Sequence, residues 1–154
     1  ETGSALSDID SGVFTSKKYL WIQIATKGRN AAATNAKFRV GKTTIDSGDN
    51  YASRISTNGG VDGIAIDTNG LIDSTGGLIN QFWNIFIINI SANEKLIIAH
   101  HADSMSGGAG IAPRRSEIVG KWVNTANQID IVGLTTDSAD TFNAGALIKV
   151  WGSD

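Results

Sequence analysis

The feature that most constrains the fold is a segment at residues 80–102, in which two apolar runs flank a short polar stretch. The first run, Phe82 to Ile90, and the second, Leu96 to Ala99, are each as long as a strand and rich in isoleucine. The residues between them are Ser, Ala, Asn, Glu and Lys, a composition typical of a turn. This pattern predicts a β-hairpin at the centre of an all-β domain.

The first run of this hairpin is apolar on both faces. Successive strand residues point to opposite faces, and a strand with two apolar faces is normally covered on both. A chain of 154 residues forms one core, so the second face needs a cover from a second subunit or from the N-terminal arm. We therefore predict self-association. The candidate interface residues are Trp83, Ile85 and Ile87, or the residues on the opposite face, together with His100.

Other segments share the alternating pattern of a half-buried strand. In Lys18 to Ala25, Leu20, Ile22 and Ile24 share one face, which we expect to be the inner face. The remaining strand-length segments are residues 36–40, 51–57, 64–66, 115–123, 128–134 and 144–151. We predict an antiparallel β-sandwich or jelly roll of eight or nine strands. Residues 1–16 would form an N-terminal arm, and residues 17–154 a single jelly-roll domain.

Composition excludes several classes of function. The net charge is −2, with both signs scattered along the chain, whereas nucleic-acid binding usually needs a basic stripe. The chain has no cysteine, so we expect neither disulfides nor thiolate chemistry. Its apolar runs are far shorter than the roughly 20 residues that a membrane-spanning helix needs. We therefore predict no nucleic-acid partner and no membrane span.

Two polar segments are candidate metal sites. His100 and His101 are the only histidines, and as neighbours in a strand they point to opposite faces, so they cannot jointly hold one ion within one subunit unless the strand has a bulge. The favoured interpretation is a polar strand end, and the alternative is that one histidine meets its copies at a symmetry axis. The segment Asp46 to Asn50 is rich in oxygen ligands but lacks the spacing and the closing glutamate of an EF-hand loop. A hydrogen-bonded turn is the favoured interpretation of this segment, with calcium as the alternative.

The sequence contains no arrangement typical of an enzyme. Gly41-Lys42-Thr43-Thr44 ends like a phosphate-binding loop, but Ala36 stands where the upstream glycine is required. The carboxylates are spread over loops, and no nucleophile motif stands out. We therefore predict a protein without catalytic residues and without a cofactor.

Aromatic residues on outward-facing strand positions suggest carbohydrate binding as an alternative. Aromatic side chains on a β-sandwich can stack on sugar rings. The candidate residues are Tyr19, Trp21 and Trp151, with Trp122 as a further aromatic that could face outward. The favoured interpretation of these aromatics is that they belong to a subunit interface or to the core.

Several segments together resemble a jelly-roll module that recurs in virion proteins of tailed bacteriophages, notably those of cyanobacteria and marine bacteria. The resemblance extends over residues 15–152 and depends on apolar, Gly and Asn positions in a fixed order. It is carried by Tyr19-Leu20-Trp21-Ile22, Phe38-Arg39-Val40, Asp49-Asn50-Tyr51, residues 82–89, Gly120-Lys121-Trp122-Val123-Asn124, residues 129–134 and residues 142–152.

This resemblance implies a non-enzymatic structural protein on the exterior of a phage particle. Proteins of this group are capsid decoration or cement proteins, or knobs of fibres, and they are commonly homotrimers. The implied partners are further copies of the chain, the major capsid protein or other virion proteins, and, for a fibre knob, a host-surface glycan. A decoration or cement protein is the favoured expectation, with a receptor-binding fibre knob as the alternative.

Overall fold

The computed structural model describes residues 3, 5–30, 35–73, 78–136 and 140–154, and these residues form strands, turns and irregular segments but no helix. All strand pairs are antiparallel. The strands are β1 (Asp8–Asp10), β2 (Tyr19–Thr26), β3 (Ala36–Lys42), β4 (Thr44–Ile45), β5 (Tyr51–Thr57), β6 (Gly63–Thr68), β7 (Leu71–Asp73), β8 (Gln81–Ile88), β9 (Lys95–Asp103), β10 (Arg114–Trp122), β11 (Ile131–Thr136) and β12 (Leu147–Ser153).

The strands form two sheets of unequal width. The large sheet has seven strands in the order β12-β2-β8-β9-β10-β5-β6, with the predicted hairpin β8–β9 in the middle. The small sheet has five strands, with β1-β11-β3-β4 in order and β7 also paired to β3. The predicted all-β antiparallel sandwich is confirmed, and the jelly-roll connectivity stays a prediction.

The core lies between the two sheets and is built from alternate residues of each strand. Leu20, Ile22 and Ile24 on β2 are buried, as the alternation predicts. From the small sheet, Phe38 and Val40 on β3 are fully buried in the same cluster. Apolar burial of this kind contributes roughly 25 cal/mol for each Å² removed from water, so this cluster is the main source of stability.

The strand count exceeds the predicted eight or nine because β1, β4 and β7 are only two or three residues long. The part of the predicted arm that the structure describes is not separate from the sandwich. Its β1 pairs with β11, and Ile9 is buried in the core, whereas Leu6 and Val13 are exposed. Residues 1, 2 and 4 of the arm lie outside the described part of the chain.

The Tyr51 hydroxyl links the two sheets. It belongs to β5 of the large sheet, and it accepts a hydrogen bond from the Val40 backbone N–H at 3.0 Å on β3 of the small sheet. The same hydroxyl lies 2.8 Å from the Val40 carbonyl and 3.0 Å from the Asp46 carbonyl. Burial is the main reason why the pKa of Tyr51 is raised, so the hydroxyl keeps its proton for donation.

Asn89 forms a second polar link, at the end of β8. Its side-chain amide donates to the carbonyl oxygens of Lys17 at 2.8 Å and Ile129 at 3.0 Å, and its Oδ1 accepts from the Ile129 N–H at 2.7 Å. These bonds join the segments that precede β2 of the large sheet and β11 of the small sheet. Because Asn89 is fully buried, each of these bonds satisfies a group that water cannot reach.

His101 is buried on the inner side of β9. Its ring lies 4.8 Å from the ring of Trp83, centroid to centroid. Burial is the main reason why the pKa of His101 falls to about 4; the Asp103 carboxylate opposes this effect, and the Arg114 and Arg29 guanidinium groups add to it. Asp103 is itself held by Arg114, whose Nη2 lies 2.6 Å from the Asp103 Oδ2.

Replacing Tyr51 with Phe should destabilise the fold by about 1–3 kcal/mol, because the buried Val40 N–H would lose its acceptor. The measurement is chemical denaturation followed by circular dichroism. Tyr19→Phe is the matched control, since Tyr19 lies half-exposed on the solvent side of the large sheet. Equal stability of the two variants would contradict the role given to the Tyr51 hydroxyl.

Stability should fall as the pH decreases below about 6.5, because His101 has a folded-state pKa near 4 and an unfolded-state value near 6.5. The unfolded chain then binds more protons than the folded chain, so acid favours unfolding. We expect a loss of about 1.5 kcal/mol between pH 6.5 and pH 5, above the range of most carboxylates. The free energies of unfolding of the wild type and of His101→Gln, plotted against pH, should converge as the pH falls over this range. Two parallel plots would refute the assignment.

Candidate functional site: the outer face of the large sheet

The two faces of β8 have different environments in the structure. Trp83, Ile85 and Ile87 point into the core and are at most 2% exposed. The prediction that these three residues contact another subunit is therefore wrong, because the chain's own small sheet covers them. The opposite face of β8 carries Phe86 and Ile88, which are about half exposed.

This solvent-facing side of β12, β2, β8, β9 and β10 is called the outer face below. Every one of these strands contributes at least one large apolar side chain to it. At roughly 100 Å² of exposed surface for each half-exposed large side chain, the outer face presents on the order of 900 Å² of apolar surface, and its contiguous part, without Phe82, is on the order of 800 Å². The largest apolar patch on an ordinary monomer covers about 300–600 Å². The residues are Tyr19, Trp21, Phe82, Phe86, Ile88, Leu96, Ile98, Val119 and Trp151, with exposed fractions of 39–54%.

The strand register aligns five of these side chains in one row across the outer face. Trp151 is paired with Trp21, Trp21 with Phe86, Phe86 with Ile98, and Ile98 with Val119. Neighbouring positions in such a row have Cβ atoms about 5 Å apart, so the side chains contact one another across the strands. This set is called the apolar row below.

A second row, which is polar, lies two residues away from the apolar row on each strand, after it on β2 and β9 and before it on β8, β10 and β12. The pairs are Lys149 with Gln23, Gln23 with Asn84, Asn84 with His100, and His100 with Glu117. His100 is exposed here, as a candidate interface residue must be, whereas its neighbour His101 is buried. The two histidines therefore point to opposite faces, as predicted. This set is called the polar row below.

The aromatic residues at one end of the apolar row stack on one another. Trp21 lies between Trp151, at a centroid distance of 4.8 Å, and Phe86, at 6.2 Å with nearly parallel rings. Its indole N–H donates to the Asn84 Oδ1 at 2.6 Å. Since neighbouring rings lie on both sides of Trp21, the Trp151 side that faces away from β2 is the better surface for a sugar ring.

The structure sorts the remaining aromatic candidates. Tyr19 is half exposed on the outer face, next to Ile88 of the adjacent strand. Trp122 is buried, and its indole N–H donates to the Asp46 carboxylate at 2.7 Å, so the proposal that it faces outward is wrong.

A shallow apolar depression of about 350 Å³ lies in the middle of the outer face. Its walls include Tyr19, Phe86, Leu96, Ile98 and Val119. The depression offers few polar groups, so it fits an apolar side chain better than a polar small molecule.

The segment Asp46 to Asn50 forms the hydrogen-bonded turn that was the favoured prediction. The Asp46 carboxylate accepts from the Gly48 N–H at 2.8 Å and the Asn50 side-chain amide at 2.9 Å, besides Trp122. Burial acts to raise the pKa of Asp46, but these donors outweigh it and lower the pKa. The carboxylate oxygens therefore have local donors, which are the partners of an Asx-type turn.

The loop that resembles a phosphate-binding loop is a tight connection between β3 and β4. Lys42 is paired with Asp130 at 2.7 Å, and the Thr43 N–H donates to the other oxygen of that carboxylate at 2.6 Å. These groups bind each other rather than forming a ring of free N–H donors for an anion.

Within the described residues, no group of three or more His, Asp or Glu side chains is placed to hold a metal ion. Lys95 is a buried lysine that the sequence pattern does not reveal, and burial lowers its pKa. The Lys95 ammonium group donates to the carbonyl oxygens of Asn93 and Asn124, and these hydrogen bonds connect the segment before β9 with the segment after β10.

Sequence reasoning missed the contribution of β10 to the outer face. Val119 lies in the apolar row because β10 pairs with β9, which places Val119 next to Ile98. The sequence of β10 gives no signal for this contribution, because the other residues on the same side of the strand as Val119 are Arg115, Glu117 and Lys121.

Among the described residues there is no helix that is long and apolar enough to cross a membrane. Comparison of the chain with models of known protein families and with curated protein sequences found no match. The resemblance to phage virion modules therefore stays a prediction, and the fold that the structure establishes is an antiparallel β-sandwich with one open apolar face.

Proposed function

We propose that this protein is a non-enzymatic structural protein that assembles with itself on the exterior of a phage particle, as a capsid decoration or cement protein. The observation that carries the proposal is the outer face of the large sheet. Its apolar surface exceeds what an isolated monomer normally exposes to water, and within the described residues nothing covers it.

The chemistry of the outer face favours assembly over catalysis. Its centre is a row of aliphatic and aromatic side chains, which bury well against a protein surface but supply no acid, base or nucleophile. Interface cores are depleted in charge and enriched in aromatic residues, as this row is. Placement on a phage particle is supported by the resemblance of residues 15–152 to virion modules.

Self-association should be visible in light scattering coupled to size-exclusion chromatography. We expect an oligomer at micromolar concentration, because burying the outer face removes about as much surface as a standard interface buries on each partner. A monomer under these conditions would contradict the proposal.

The place on the particle is tested by mass spectrometry of purified virions and by binding to empty capsids. A cement protein should be present in many copies and should bind empty capsids of its own phage. Absence of the protein from particles would refute the virion assignment while leaving self-association intact.

Carbohydrate or receptor binding as a fibre knob is the second candidate function. It is favoured by the exposed stack of Trp21 and Trp151 on β2 and β12, where Trp151 has a ring face directed away from the other strands. Stacking of a sugar on one indole ring is a common source of modest affinity in carbohydrate recognition.

A glycan array distinguishes the two functions. If the fibre-knob function is correct, Trp151→Ala should remove glycan binding, and Trp21→Ala should weaken it through loss of the ring that supports Trp151. Phe82→Ala is the control, because Phe82 is an exposed aromatic on the same face but outside the stack. Glycan binding that is unchanged in both tryptophan variants, or absent in the wild type, would rule out this site.

A further inference from the structure

We infer that the outer face is a self-complementary interface that joins two copies of the chain about a two-fold axis parallel to β8. The inference depends on the proposed self-assembly and specifies its partner, its surface and its symmetry. It differs from the trimer that the family resemblance implies.

The size of the outer face suits a second copy. Stable interfaces bury about 800 Å² on each partner, and the apolar part of the outer face alone is on the order of 900 Å². The small sheet already fills the inner face, so the hydrophobic core is complete without the second copy. The association would thus resemble the packing of one sheet on another, with sheets about 10 Å apart and strands nearly aligned.

The two rows on the outer face determine which symmetry is acceptable. A two-fold axis parallel to β8 places β8 on β8, β2 on β9 and β12 on β10, and it keeps each row at its own level along the strands. The apolar row then meets the apolar row, so that Phe86 faces its own copy and Trp21 faces Ile98 of the second copy. Such a patch, which contacts the same patch on its partner, is the definition of an isologous interface.

The same axis brings opposite charges together at the ends of the polar row. Lys149 on β12 lies opposite Glu117 on β10 of the second copy, and the contact occurs twice in each dimer. Within the described residues Lys149 makes no ion pair, and the partner of Glu117 is the exposed Arg115 at 3.4 Å. Complementary charges at an interface rim fix its register.

A two-fold axis across the strands is much less favourable. With the axis at the level of the apolar row, it would place the polar row on the level that carries Tyr19, Ile88 and Leu96, and would bury Asn84 and His100 against apolar side chains. With the axis at the level of the polar row, the level of Ile88 would lie beyond the ends of the opposing strands and stay uncovered. Burying such groups without hydrogen-bond partners costs free energy, so this arrangement is disfavoured. The axis parallel to β8 pairs the apolar row with the apolar row and the polar row with the polar row, and it covers every level of the outer face.

The test is a charge exchange measured by sedimentation equilibrium at low salt. Lys149→Glu alone creates two Glu–Glu contacts in each dimer, and Glu117→Lys alone creates two Lys–Lys contacts. Each should raise the dimer dissociation constant about tenfold. The double variant, and an equal mixture of the two single variants, should restore the wild-type constant to within about threefold, because both contacts are then between opposite charges.

Two apolar substitutions form a matched pair for the same measurement. Ile98→Glu places a charge in the apolar row and should abolish the dimer while circular dichroism shows an unchanged fold. Ile64→Ser is the control, because Ile64 is exposed on the same side of the large sheet but lies on β6, beyond the five contacting strands. It should leave the dissociation constant unchanged.

The outcomes separate this inference from the function on which it depends. A wild-type monomer at micromolar concentration would overturn both. A trimer or another oligomer, a dimer indifferent to Ile98→Glu, or charge variants that the mixture does not rescue would overturn the two-fold interface alone. A dimer that Ile98→Glu dissociates and that the mixture restores would support it.

Discussion

The large sheet is apolar on both of its faces, and the chain supplies a cover for only one of them. The small sheet has shorter strands and packs over the inner face, where Trp83, Ile85 and Ile87 complete the core. The outer face is left with aromatic and aliphatic side chains directed into water. That much apolar surface in water is the reason for the proposed self-association, and it comes from five neighbouring strands of the large sheet rather than from any single residue.

The arrangement of polar groups on the outer face explains why this surface can be specific as well as adhesive. Apolar contact has little directional preference and would accept many orientations. The polar row places amide and imidazole groups at one level near the centre of the outer face, so most rotations of a partner would leave some of them buried and unpaired. The position of a partner along the strands is thus restricted, because the polar row cannot be buried against apolar side chains without a cost in free energy. Unfavourable contacts with wrong arrangements are a common source of specificity in proteins.

Apolar runs and alternation in the sequence were sufficient to predict the longer strands, the central hairpin and the burial of Leu20, Ile22 and Ile24. The sequence pattern could not show which face of β8 is inner, because both faces are apolar. The inner face is the one on which the small sheet packs. Trp122 is buried on the same side of β10 as Ile118, and its indole N–H is satisfied there by Asp46, a residue 76 positions away. The rows of the outer face depend on the register between strands. The turn between β8 and β9 fixes that register within the hairpin, but the pairing of β12 with β2 joins segments far apart in the chain and has no local signal.

The links made by Tyr51 and Asn89 have a consequence for binding. Apolar contacts resist separation of two sheets but tolerate sliding, whereas directional hydrogen bonds between them allow one relative position. The large sheet therefore holds its twist and curvature before any partner arrives. A surface preorganised in this way loses little conformational entropy on association, so more of the free energy of apolar burial remains as affinity.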